Sequence, residues 1–171
     1  QIAVRKPFFL NPITDSELVK ICKSLKNSHS YDFNYLNVNI MKQIINSIVK
    51  PLVYIFNKSI ETGNVPTKFK IAKVVPVYKK GDSHLMKNYR PISILPCFSK
   101  LIEKCIFNRV YSFLCHNNII SNSQYGFRRN HSTAHALIDL QDKIISAINK
   151  NNFSLGIFMD LSKAFDIVDH T

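Results

Sequence analysis

Asp160 stands at the end of a nearly continuous apolar run, Phe153 to Met159, of the kind that forms a buried strand. A carboxylate in that position is costly to desolvate and needs a cationic partner or a metal ion. On these residues alone two chemistries stay open. Lys163, three residues on, would close a plain salt bridge at a helix start. Alternatively, Asp160 would hold a divalent cation, because hard cations take oxygen ligands. A second group is basic. Between Lys68 and Arg109 there are ten lysines and arginines (Lys68, Lys70, Lys73, Lys79, Lys80, Lys87, Arg90, Lys100, Lys104 and Arg109) against Asp82 and Glu103. That stretch therefore carries eight of the twelve net positive charges. Phosphates are natural counterions for such a density, and a solvated lysine-rich surface is the alternative. A third group, His131-x-x-x-His135, has the spacing to share a helix face and, with Cys105 and Cys115, to approach a metal. The close cysteine pair usual in zinc sites is missing, which argues against it.

These residues need a scaffold, and the chain has the means to build one. Its 171 residues are 46% hydrophobic, enough for a real core and unlike a disordered composition. The net charge of +12 resists compaction unless something anionic sits nearby. Cys22, Cys97, Cys105 and Cys115 show no C-x-x-C spacing, no secretory signal is visible, and no apolar run approaches a membrane span. A reduced, intracellular setting with buried thiols and no membrane partner is expected. Gln1 at the start and Asp169-His170-Thr171 at the end read as cuts in a longer polypeptide.

Thr14-Asp15-Ser16-Glu17 has the T-x-x-E form of a capping box before Leu18, Ile21, Cys22 and Leu25 at helical spacing. A second helix runs from Ile40 and is expected to end or restart at Pro51, with the next one stopping at Gly63. Residues 71–78 and 89–95 read as two antiparallel strands, with Lys79-Lys80-Gly81-Asp82 as a turn. A long helix follows Pro96, with Leu101, Ile102, Cys105, Ile106, Val110, Phe113 and Leu114 on its face. After a polar loop around Tyr125-Gly126-Phe127-Arg128-Arg129, Ser132 caps an amphipathic helix that Asn149 to Asn152 breaks.

Phe158-Met159-Asp160-Leu161-Ser162-Lys163-Ala164-Phe165-Asp166 resembles the first catalytic motif of reverse transcriptases. Three further segments complete the resemblance, in family order and at family-like spacing. Val75-Pro76-Val77-Tyr78-Lys79-Lys80-Gly81-Asp82 is similar to the fingers hairpin of non-LTR retrotransposon enzymes of the LINE and jockey type. Asn88-Tyr89-Arg90-Pro91-Ile92-Ser93-Ile94-Leu95-Pro96 looks like their next motif, and Gln124-Tyr125-Gly126-Phe127-Arg128 with Ser132-Thr133 resembles the one after it. Together the resemblance covers about residues 8 to 171.

What the resemblance implies is an α/β right-hand polymerase fragment. Residues 1–66 would be a helical N-terminal extension, 67–152 a fingers region with its β-hairpin, and 153–171 the first strand and helix start of the palm. The implied function is RNA-directed DNA synthesis, a nucleotidyl transfer from deoxynucleoside triphosphates to a DNA primer on an RNA template. It would use two Mg2+ ions in a complete domain, with Mn2+ as a substitute, in the nucleus or the cytoplasm. Asp160 matches the metal-binding catalytic aspartate, with the Leu161 backbone carbonyl as a second ligand. Phe165 matches the bulky residue that crowds a ribose 2′-hydroxyl. Arg90 and either Lys79 or Lys80 match the triphosphate-binding pair, and Gly126, Phe127 and Arg128 are expected near the template.

The chain also departs from the family pattern. No two of its acidic residues are adjacent, so the later aspartate pair that completes the metal site is absent, and Asp166 and Asp169 fall on the following helix. The isolated segment is therefore expected to be inactive by itself. The later palm motifs, the thumb and any endonuclease are also missing. Where relatives carry a Gly-x-Asp-Gly-like turn, this chain has Ser30-Tyr31-Asp32-Phe33. The rival reading is a non-catalytic, nucleic-acid-binding remnant of such an element. An in-frame Tyr-x-Asp-Asp downstream would favour the enzyme, and a stop codon the remnant.

Overall fold

The structure, a computed structural model, describes residues 7–161. Among them are α1 (Asp15–Ser24), α2 (Val38–Thr62), the short α3 (Thr67–Lys70), β1 (Lys73–Tyr78), β2 (Tyr89–Ile94), α4 (Cys97–His116) and α5 (Thr133–Asn149). The chain is thus mixed helix and strand, and it divides into two compact units, one up to Ile119 and one from Ile120 onward.

The first unit is built on three amphipathic helices. Thr14 caps α1 by accepting from the Glu17 amide, and Asn37 caps α2 by accepting from the Ile40 amide. Gly63 ends α2 in the left-handed region, at φ 69°. Leu18, Ile21 and Cys22 of α1 meet Met41, Ile45, Leu52 and Phe56 of α2 and Leu101, Ile102 and Cys105 of α4 in one buried core. Burial pushes the Cys105 and Cys97 thiols up to about 11, so both stay protonated and inert. Cys115, by contrast, is exposed.

Pro51 does not end the helix, contrary to the sequence expectation. It sits on the outer side of an unbroken α2, flanked by the buried Val49, Leu52 and Phe56. Burial on both sides of the proline offsets the roughly 3 kcal/mol that an interior proline costs a helix.

One ion pair ties the start of this unit to α4. The Arg109 guanidinium donates to both Glu17 carboxylate oxygens, at 2.7 and 2.9 Å, and also to the carbonyls of Asn11, Pro12 and Cys105. That hydrogen bonding holds the Glu17 carboxyl below its ordinary value, with burial working against it. A depressed carboxyl contributes stability above its unfolded value, near 4.5, and loses it as pH falls through the folded value. The melting temperature should therefore drop on acidification below that point, and Glu17→Gln should remove this part of the slope. Arg109→Met should cost about 2–3 kcal/mol at neutral pH, read by urea unfolding, because it leaves a half-buried carboxylate without its charged partner. An unchanged pH slope in Glu17→Gln would contradict the assignment.

The strands pair antiparallel, from Lys73 opposite Ile94 to Tyr78 opposite Tyr89, and no third strand joins them among the described residues. The hairpin expected over 71–78 and 89–95 is present, shorter by a residue or two.

In the second unit, Ser132 caps α5 by accepting from the His135 amide. Leu137, Ile138, Ile144, Ile145 and Ile148 form its apolar stripe, and all are exposed. The buried strand expected over Phe153 to Met159 is not found. These residues are irregular and exposed, and Asp160 follows them in the same state. The reason is physical: a strand with two apolar faces is stable only between paired neighbours and covering layers, and the one sheet among the described residues is the β1–β2 pair.

Candidate functional site

The densest set of candidate residues lies on the β1–β2 hairpin. Residues directly opposite in an antiparallel pair share a face, and faces alternate along each strand. Val77 faces Arg90 across the ladder, so Val75, Val77, Arg90 and Ile92 lie on one side and Tyr78 and Tyr89 on the other. The ladder continues one step, with the Lys79 amide donating to the Asn88 carbonyl at 2.9 Å. Alternation then sets Lys79 on the Arg90 face, while Lys80 falls in the bend beyond it. Of the two lysines left open by the sequence, Lys79 is the one that the strand register puts on the Arg90 face. All three side chains are exposed.

A dense loop holds this arrangement rather than the four-residue turn expected. Residues 79–88 connect the strands and end in a single 3-10 turn, Met86–Asn88. The Asn88 side chain donates to the Asp82 carbonyl at 2.7 Å, and Asp82 in turn accepts from the His84 amide. Tyr89 donates to the Ser83 carbonyl at 2.8 Å and Tyr78 to the Gly81 carbonyl. The two tyrosine rings meet edge-on at 5.6 Å. Gly81 has φ 94°, and a Cβ there would come within 2.8 Å of the Asn88 side chain, so no other residue suits the position. The hairpin from β1 to β2 has five basic residues, Lys73, Lys79, Lys80, Lys87 and Arg90, and one acidic residue, Asp82, already engaged in the loop. In the sequence Asn88 and Tyr89 are only letters of a motif. Their place beside a lysine-rich turn is the available sign that they brace it.

Gly126, Phe127 and Arg128 lie in the second unit, on a loop folded back toward the start of α5. The Tyr125 and His131 rings are 6.0 Å apart, and the His131 and His135 rings 6.3 Å. Lys143 donates to Asp139 at 2.7 Å, and the hydrogen bonds of Lys143 and then Tyr125 hold the Asp139 carboxyl low. Arg128 donates to the Ser121 carbonyl at 3.0 Å. Phe127 is then thrust outward: it is 100% exposed and has φ 59°. A bulky side chain in the left-handed region costs about 1–3 kcal/mol, and such strain gathers where a conformation serves binding. A fully exposed aromatic ring beside two arginines has the form of a base-stacking platform.

Asp160 is exposed and belongs to the second unit. Its oxygens suit a hard divalent cation, and the exposed Leu161 follows it in the chain with a backbone carbonyl of the same hard-oxygen type. The donor set is partial, since no group of three His, Cys, Asp or Glu side chains gathers among the described residues. Phe165, Lys163, Asp166 and Asp169 lie outside the described residues. The His131 and His135 ring nitrogens face the Arg129 carbonyl and the Ser132 hydroxyl.

A profile of the family described as reverse transcriptase (RNA-dependent DNA polymerase) matches residues 77–171. Over 164 residues the chain is 32% identical to the probable RNA-directed DNA polymerase from transposon BS of Drosophila melanogaster, a match covering 94% of this chain and 18% of that protein. The RNA-directed DNA polymerases from mobile element jockey are similar over the same shares, at 28% identity in Drosophila funebris and 26% in Drosophila melanogaster. The chain thus spans about a fifth of the length of these curated relatives.

Proposed function

The chain belongs to the reverse transcriptase family, among those of non-LTR retrotransposons, and from that membership we propose that it supplies the triphosphate-binding hairpin and the first metal-binding aspartate of an RNA-directed DNA polymerase. The observation that carries the reading is the alignment of Lys79 with Arg90 on one face of a strongly basic, exposed hairpin. A triphosphate gathers negative charge toward its leaving group as the bond to the α-phosphorus breaks. Two cations fixed on one face offset that charge where it develops. Arg90 offers a planar fork for two phosphate oxygens, and Lys79 a point charge beside it.

In this reading Asp160 and the Leu161 carbonyl hold a magnesium ion, or manganese in its place. When bound, it supplies Lewis-acid activation of the primer hydroxyl and neutralises the pyrophosphate. Phe127 and Arg128, with Gly126 beside them, take the template strand: the ring stacks on a base, and the guanidinium faces the backbone. Phe165 would crowd a ribose 2′-hydroxyl and so select deoxynucleotides. The finer architecture is that of a right-hand polymerase, with 1–66 as helical extension, 67–152 as fingers and 153–171 as the start of the palm. The substrates are an RNA template, a DNA primer and deoxynucleoside triphosphates, met in the nucleus or the cytoplasm.

A photoreactive deoxynucleoside triphosphate, added with Mg2+, tests the central claim. It should label the peptide spanning residues 79–90, and Arg90→Ala should suppress that labelling about tenfold. Labelling confined to peptides of α1 or α2 would overturn the assignment.

A further inference from the structure

Asp32 is a buried carboxylate that the proposed function does not use. It is 3% exposed, and among the described residues no ion pair includes it. Three backbone amides satisfy it instead: Asn34 and Leu36 donate to Oδ1 at 2.8 and 3.0 Å, and Cys97 donates to Oδ2 at 2.9 Å. The first two close a tight turn on itself, with Tyr35 at φ 58° in the place a glycine would favour. The third crosses 65 residues of sequence.

Cys97 is the first residue of α4, and the residue before it, Pro96, makes no side-chain cap. The helix lacks a local N-cap, and Asp32 supplies one from a distant loop, with its charge at the favoured end of the helix dipole. Two residues on, in the same first turn, the Ser99 hydroxyl donates to the Phe69 carbonyl of α3 at 2.6 Å. These two bonds sit at the two roots of the hairpin. β1 leaves α3 after two residues, and β2 enters α4 after two residues.

We infer that Asp32, with Ser99, is a positioning residue for the triphosphate-binding hairpin, clamping both of its roots to the first turn of α4. The inference rests on the reading of Lys79 and Arg90 as triphosphate contacts. Its physical basis is leverage. The two strands pair only with each other among the described residues, so the angle at the root sets where the tip lies. Arg90 is seven residues from Cys97, or about 20 Å along a strand, so a pivot of about 10° at the root moves it roughly 3.5 Å. That is more than a hydrogen bond tolerates. Asp32→Asn keeps the size of the side chain, but the amide cannot accept from all three N–H groups and sets a donor against one of them.

The test compares Asp32→Asn, Ser99→Ala, Arg90→Ala and the remote core variant Ile45→Val in the same chain. The readouts are affinity for a non-hydrolysable deoxynucleoside triphosphate with Mg2+, and amide hydrogen exchange over residues 89–97. Both are taken well below the melting temperature of every variant. Asp32→Asn should weaken triphosphate binding about five- to tenfold and speed exchange across those residues, and Ser99→Ala should do so about two- to fourfold. Ile45→Val, which destabilises the core without touching the roots, should leave both readouts near wild type. Equal losses in Ile45→Val would reduce the effect to general instability and overturn the inference. Normal affinity in Asp32→Asn alongside a loss in Arg90→Ala would overturn it while sparing the proposed function. Normal affinity in Arg90→Ala would overturn both. Should Asp32→Asn fail to fold, Ser99→Ala decides: a loss supports the clamp, and wild-type behaviour sinks it.

Discussion

Asp160→Asn should reduce primer extension on an RNA template by at least about a thousandfold in a polymerase carrying this segment, with almost no change in melting temperature. The substitution keeps the shape of the side chain and removes the charge that would bind a cation. Placed on a buried strand, such a loss of charge would relieve a desolvation penalty and raise stability. Asp160 is instead exposed, so no penalty is there to relieve and the melting temperature should stay within about 1 °C. The competing salt-bridge reading gives the reverse pattern, lost stability with synthesis retained, and Lys163→Met should then behave like Asp160→Asn. Primer extension and thermal melting on the two matched variants separate the readings. Extension near the wild-type rate in Asp160→Asn would end the catalytic assignment.

The second large effect is on nucleic-acid binding. The chain should bind single-stranded RNA or an RNA–DNA duplex with little sequence preference, and with an affinity that falls steeply as salt rises. Replacing Lys79, Lys80 and Arg90 together by alanine should lower the slope of log affinity against log salt by about two to three units, close to one for each phosphate that the three side chains neutralise. Fluorescence anisotropy between about 50 and 200 mM salt covers the range where this difference is largest. Because backbone phosphates and a nucleotide triphosphate present the same oxygens, one hairpin serves both, and the salt slope measures how many phosphates it engages. A slope unchanged in the triple variant would remove the hairpin from the interface.

What was legible in the sequence was local or periodic. Thr14, Asn37 and Ser132 cap their helices through their own neighbours, and Thr14 and Ser132 are readable as caps from the chain. The hairpin follows from β-branched runs on either side of a lysine–glycine turn, and its register then separates Lys79 from Lys80. What was not legible depends on partners far away in sequence. Pro51 looks like a breaker until the core on both sides of it is counted. Glu17 fits a capping box, yet its carboxylate is held by Arg109, 92 residues on. Asp32 sits in a turn whose Ser30 and Phe33 depart from the glycines of the family pattern, and only the fold brings the Cys97 amide to it. The apolar run before Asp160 carries the composition of a buried strand, but composition does not provide the strands that would flank it.

The Glu17–Arg109 tie also sets a clock for the newly made chain. Arg109 reaches back to Asn11, Pro12 and Glu17 across 92 to 98 residues, so although α1 and α2 pack on each other, the part of their core that Leu101, Ile102 and Cys105 cover stays open until α4 has been synthesised. At about 5–20 residues per second, that side of the core stays open for roughly 5–20 s after α1 is made. Closing so long a loop adds an entropic toll that grows only slowly with its length, so the delay is set by the ribosome more than by the search. During that interval the nascent chain presents a packed helix pair with one apolar side and no lid, which makes its early fate a matter for chaperones as much as for the fold it finally reaches.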